Sequence, residues 1–161
     1  MNLYRTLVER RDVSHGNVFP ESTFRAISDL DGLVTFGAFF ENELVSCHLW
    51  MSDGHTIHSL FAASNAVGYR LQASYAIYDA AIRWFDGADS INFGGAAGLT
   101  DDPDSGLARF KRGFSNAETQ CYLYGVILDP DRYDAMSANT ASEFFPAYRG
   151  ARPAINRVIT P

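Results

Sequence analysis

Apolar residues at the start of the chain recur at helical spacing. Leu3, Leu7 and Val8 share one side of "MNLYRTLVERRDVS", with Glu9, Arg10 and Arg11 on the other, which predicts an amphipathic helix ending near "SHGN". A second helix is expected from Pro20 to about Leu30: proline suits a first helical turn, and Phe24, Ile27 and Leu30 form a stripe before "DLDG". From residue 33 the period shortens. "LVTFGAFF", "LVSCHLWM" and "HTIHSLFA", separated by "ENE" and "SDG", predict three strands of an antiparallel meander, with a type I′ turn at Asp53-Gly54. Leu71, Tyr75, Ile77, Tyr78, Ala81, Ile82 and Phe85 then return to helical spacing, which predicts one helix over about Tyr69 to Phe85. A short strand "SINF", a glycine turn, a helix over "GLARFKRGF" and a long strand "TQCYLYGVIL" follow, with one more helix near "DRYDAMSAN".

Composition narrows the setting. A chain of 161 residues is most economically one domain, long enough to bury roughly 70% of its unfolded surface. Its 47% hydrophobic and 20% charged residues are ordinary for a globular protein, and the formal charge of −6 gives no broad attraction to nucleic acid or anionic lipid. No apolar run approaches the roughly 20 residues of a membrane span, and the amino terminus lacks the apolar core of a signal peptide. A cytoplasmic protein is expected, with Cys47 and Cys121 as buried, reduced thiols in strand-like runs.

Two segments carry candidate chemistry. "AASNAVGYR" leads from the third strand into a helix and aims unpaired backbone N–H groups at one spot. Gly68 would permit close approach of a ligand and Arg70 would add a charge; an ordinary strand-to-helix turn is the alternative. In "SINFGGAAGLTDDPDSGLARFKRGF", Asn92, Gly94 and Gly95 stand where a strand ends. Arg109, Lys111 and Arg112 then cluster on a short helix with Phe110 and Phe114 one turn apart. A basic face beside a glycine turn suits a phosphate or a developing oxyanion, and equally suits a solvated face over an aromatic seam. The histidines do not assemble a metal site: alternation puts His48 and His55 on one face of the hairpin and His58 on the other, and His15 is remote. His48 or His58 would serve as a general base only if it faced the cleft. "DDPDS" lacks the spaced ligands of a calcium loop, and no G-x-S-x-G elbow, P-loop or G-x-G-x-x-G fingerprint is present.

The order of these elements, with Asn92-Phe93-Gly94-Gly95 followed by Leu107-Ala108-Arg109-Phe110-Lys111-Arg112-Gly113-Phe114, resembles the GNAT N-acyltransferases, and within them the Fem-like branch. That branch includes peptidoglycan bridge-building aminoacyltransferases and carries "D/N-F-G-G" and "L-x-x-F-K-x-x-F-G" motifs. The likeness covers about residues 33 to 128; Ser115 stands where the last motif has glycine. The resemblance implies an α+β, α/β-sandwich fold: a GNAT-like mixed, mostly antiparallel central sheet with helices on both faces, in a single domain over residues 1–161. It further implies direct attack of an amine on an activated acyl group, with Lys111 stabilising the oxyanion and Phe110 packed at the reacting end. Asn65, Gly68, Tyr69 and Arg70 would contact acetyl-CoA or another acyl-CoA as donor substrate, and Asn92, Gly94, Gly95 and Arg109 the substrate; no metal is called for.

The expected activity is therefore transfer from an acyl-CoA-like donor to a small-molecule or peptide amine. Two other readings accompany it. Aminoacyl transfer from tRNA fits the motifs but is not favoured by one domain and an acidic charge, and no DNA partner is expected. A catalytically silent GNAT-like domain that binds a ligand or partner is the other, and the aromatic "FFPAYR" tail suits a homodimer interface as well as a core.

Overall fold

The computed structural model describes residues 2–11, 18–95, 105–120, 122, 124–138 and 145–149. The chain divides into two compact units, Met1–Ala117 and Glu118–Pro161.

The first unit is built on a four-stranded sheet in sequence order: β1 (Leu33–Phe40), β2 (Glu43–Ser52), β3 (Thr56–Ser64) and β4 (Ser90–Asn92). The first three form the expected antiparallel meander, and β4 adds parallel to β3, with Thr56 opposite Ser90 and His58 opposite Asn92. Helices α1 (Asn2–Arg11) and α2 (Glu21–Ser28) precede the sheet; α3 (Ala66–Arg70) and α4 (Ala73–Trp84) connect β3 to β4; α5 (Gly106–Arg112) follows.

Alternation along β2 divides the core. Ser46, His48 and Trp50 point to one face and are 0%, 1% and 0% exposed, and α4 covers them with Ile77, Tyr78 and Ala81. Trp50 meets Tyr78 at 5.3 Å, Phe93 at 6.1 Å and Phe85 at 6.2 Å between ring centroids, so aromatic edges fill this side. Phe61 of β3 lies on the other face, where Tyr4, Phe19 and Phe24 from the amino-terminal segment surround it at 5.1 to 6.3 Å.

Three local expectations are corrected. The single helix over Tyr69–Phe85 is two helices, because the helical backbone is interrupted at Gln72, whose φ of 53° is left-handed. The type I′ pair is not Asp53-Gly54 but Glu41-Asn42, at φ 50° and 66° between β1 and β2. Asp53 keeps a negative φ and turns the next hairpin with its carboxylate, which accepts from the backbone N–H of His55 at 2.9 Å and of Thr56 at 2.7 Å. Finally, no ladder joins the described residues of "TQCYLYGVIL"; Cys121 and Leu123 fall outside the described set. A strand exists only opposite a partner edge, and the described elements of residues 118–161 are helical: α6 (Pro130–Ser137) and a 3-10 turn (Ala147–Arg149).

In that second unit Asp129 caps α6 by accepting from the Arg132 N–H at 3.0 Å. The Tyr133 hydroxyl accepts from the Ala147 N–H at 2.9 Å, and its ring stacks on Phe145. Among the described residues no helix is long and apolar enough to cross a membrane.

Candidate functional site

The parallel pairing of β3 with β4 stops at His58 and Asn92, while β3 runs on to Ser64. Leu60 and Ala62 on this unpaired stretch are exposed, and the β2–β3 register slips between Leu49 and Trp50, opposite Phe61 and Ser59, so that Leu60 is left out of the ladder. Among the described residues an open edge thus extends over six residues, roughly 20 Å of strand at about 3.3 Å per residue. The two segments singled out in the sequence stand at its two ends.

At the far end, Asn65 follows Ser64 and caps α3: its Oδ1 accepts from the Gly68 N–H at 2.9 Å, and its own N–H donates to the Val45 carbonyl at 3.0 Å. Gly68 is buried against β2, and a Cβ there would drive into the Val45 carbonyl oxygen. The Tyr69 ring carries the Arg10 guanidinium 3.6 Å from its centroid, and Arg10 also donates to the Tyr69 hydroxyl. Arg70 is exposed.

Below this loop lies a buried polar line. The Ser46 and Ser64 hydroxyls are hydrogen-bonded at 2.8 Å, and His48 Nε2 stands 3.3 Å from the Ser74 hydroxyl at the start of α4. Burial holds the His48 pKa down at about 4, so its imidazole is neutral near pH 7. His48 therefore faces α4 and the core.

At the near end, the Asn92 side chain accepts from the Gly94 N–H at 2.8 Å, and Gly94 takes φ 72°. Lys111 Nζ donates to the Gly95 carbonyl at 2.6 Å, and no described residue stands within 4 Å of where a Gly95 Cβ would be. The lysine is positioned by its neighbours. Ser105 caps α5 by accepting from the Ala108 N–H at 3.0 Å. Phe110 then packs 4.8 Å from both Tyr75 and Tyr78, and Phe114 5.1 Å from Tyr78. Phe93, next to Gly94, stacks on the same Tyr78 at 5.1 Å. One aromatic cluster therefore ties α5, the end of β4 and α4 together, while Arg109 is exposed.

Lys111 is half-buried, and desolvation lowers its pKa from the ordinary lysine value. Among the described residues no carboxylate pairs with it. An ammonium has three N–H donors, so the bond to Gly95 leaves two for a ligand. What this arrangement can do is place a positive hydrogen-bond donor where an extended molecule, lying along the open edge of β3, would reach the end of β4.

The remaining histidines stay apart from this place. His55 pairs with Asp89 at 3.0 Å, and His58 lies 3.8 Å from Asp53, both at the β2–β3 turn; His15 falls outside the described residues. No group of three metal-ligating side chains occurs among the described residues. Cys47 is a free thiol whose pKa burial raises; Cys121 is outside the described set. One participant went unseen in the sequence. Arg10 is 59 residues from Tyr69, and nothing local signals that contact. Lys111, which the motif named, is also the single lysine among thirteen basic residues.

A mixed, mostly antiparallel sheet with helices on both faces, opening where β3 and β4 part, is a GNAT-like fold. No protein-family model matches the chain, and no curated protein sequence does. Solved structures do match. An aminoglycoside acetyltransferase, meta-AAC0020, from an uncultured soil metagenomic sample and in complex with trehalose, superposes with a TM-score of 0.57 at 15% identity. The match covers 79% of this chain and 86% of that one. The same protein in complex with sisomicin gives 0.57 at 16% over the same shares. A second aminoglycoside acetyltransferase of soil metagenomic origin, HMB0005, gives 0.56 at 14%, covering 78% and 88%. At these identities the likeness establishes the fold.

Proposed function

We propose that this chain is a single GNAT-like domain, with a recognisable core over residues 33–128, that transfers an acyl group from an acyl-CoA-type donor to a small amine by direct attack. The observation that carries the reading is Lys111: a half-buried cation fixed at the glycine-rich end of β4 which, among the described residues, has no carboxylate partner and two donor positions unused. The donor lies along the open edge of β3, its distal part towards Asn65–Arg70 and its carbonyl near Gly94 and Gly95. Phe110 walls the reacting end and Lys111 meets the developing oxyanion. The structurally similar proteins are acetyltransferases, and one is complexed with sisomicin, which supports a small amine as acceptor.

The test begins with calorimetric titration of acetyl-CoA against free CoA as control, followed by turnover with a panel of amines that includes aminoglycosides. Saturable donor binding is expected. Lys111→Ala should lower turnover by about 100-fold or more, the loss typical of an oxyanion donor, with an unchanged circular dichroism spectrum. Undiminished turnover in that variant would remove Lys111 from the mechanism, and no donor binding at all would end the acyl-CoA reading.

A further inference from the structure

Twelve of the thirteen basic side chains are arginine, and the remaining one is Lys111. The two cations differ in one chemical respect that matters here. A guanidinium stays protonated, whereas an ammonium moved out of water loses its proton readily and becomes a nucleophilic amine. Wherever else the chain carries a basic side chain it has arginine, and it departs from that habit at the point where β3 and β4 separate. There Lys111 Nζ is half-buried and held by the Gly95 carbonyl at 2.6 Å. It would lie 3.5 Å from a Cβ placed on Gly94, so the amine stands directly over the glycine turn that follows β4.

We infer that Lys111 is itself an acyl acceptor: when no amine substrate is present, a donor bound along the open edge transfers its acyl group to Lys111 Nζ, and the resulting amide silences the site. This rests on the acyl-transfer reading above. Desolvation enlarges the share of free amine by lowering the lysine pKa. The ammonium first gives its extra proton to water. The amine nitrogen then attacks the thioester carbonyl, a C–N bond forms, the C–S bond breaks, and the remaining surplus proton leaves with the departing thiol. No oxidant or further reactant is needed. The product is neutral and keeps one N–H, so the positive charge and the donors that would face an oxyanion are lost together. Accumulated donor without acceptor would thus switch the protein off.

With one lysine in the chain, an amine-acylation map has a single side-chain position to report. The protein is incubated with acetyl-CoA and no acceptor. Intact mass, a peptide map, donor calorimetry and subsequent transfer activity are read on the same sample, beside Lys111→Arg and a urea-unfolded control. The expected result is one acetyl group per chain, on Lys111, absent from Lys111→Arg and slower to appear in the unfolded chain, with activity falling to the level of Lys111→Ala. Saturable donor binding with unchanged mass would overturn self-acylation and leave the transfer reading standing. No binding and no mass gain would end both. Acetylation that maps to the terminal amine, or that proceeds as fast on the unfolded chain, would also overturn it.

Discussion

The two ends of the open β3 edge contain the same kinds of residue, an asparagine, glycine and a nearby cation, and use them in opposite ways. At the Asn65–Arg70 end those groups are occupied by the protein itself. Asn65 caps α3, Gly68 makes room for the Val45 carbonyl, and Tyr69 supports Arg10. At the Asn92–Gly95 end, Asn92 shapes the turn, but among the described residues nothing crowds Gly95 and Lys111 retains unused donors. Glycine therefore serves packing at one end and access at the other. A glycine pattern in a sequence does not distinguish these uses; what a Cβ would strike does.

Gly68→Ala gives the largest expected effect. Its Cβ meets the Val45 backbone carbonyl, which already accepts from the Asn65 N–H and cannot rotate aside as a side chain can. A cost of about 3 kcal/mol or more follows from such overpacking, read as a lower urea midpoint or loss of folded protein. A variant of wild-type stability would mean that the occupied end is looser than the geometry requires.

The buried line beneath that end gives the next effect. The His48 pKa of about 4 lies below the 6.5 of a free imidazole, so between those values the unfolded chain binds a proton that the folded chain does not. Stability from this residue is complete above about pH 6.5, falls as pH drops through the window, and is about 3 kcal/mol lower below pH 4. Urea titrations of wild type and His48→Gln across pH 4 to 7 should converge as pH falls. Parallel curves would mean that His48 titrates like a solvated histidine.

The contrast between the two ends was only partly legible in the sequence. The meander, "SINF" and the α5 helix are local patterns of period two or 3.6, and they appear where the spacing puts them. Alternation also placed His48 and His58 on opposite faces, but what covers a face is decided by α4, far along the chain. The break at Gln72 is invisible because Leu71 and Tyr75 keep helical spacing although both are exposed. Glu41 gives no turn signal either, since its positive φ is imposed by the hairpin it closes. "TQCYLYGVIL" has strand composition, yet composition supplies no partner edge. Of the two sites, the functional candidate was legible as motif and the packing role of Gly68 was not.

A smaller effect tests the occupied end from its surface. Arg10→Ala removes the cation over Tyr69 and should cost about 0.5–1 kcal/mol, as exposed cation–π contacts do. Tyr69→Phe keeps the ring and should lose less. Equal losses would assign the effect to the hydroxyl bond instead.

Gly95→Ala should have the smallest effect on stability and is the sharpest test of the comparison. No described residue lies within 4 Å of the added methyl, and Gly95 does not take a positive φ, so the change should stay within about 0.5 kcal/mol. If the open space beside Lys111 is where a donor carbonyl lies, the same methyl should weaken acetyl-CoA binding several-fold while the urea midpoint stays put. Gly68→Ala should show the reverse emphasis, with stability lost before any effect on donor binding can be read. A Gly95→Ala protein that is destabilised, or that binds donor as tightly as wild type, would place the two glycines in the same class and remove the distinction between a packed end and an accessible one.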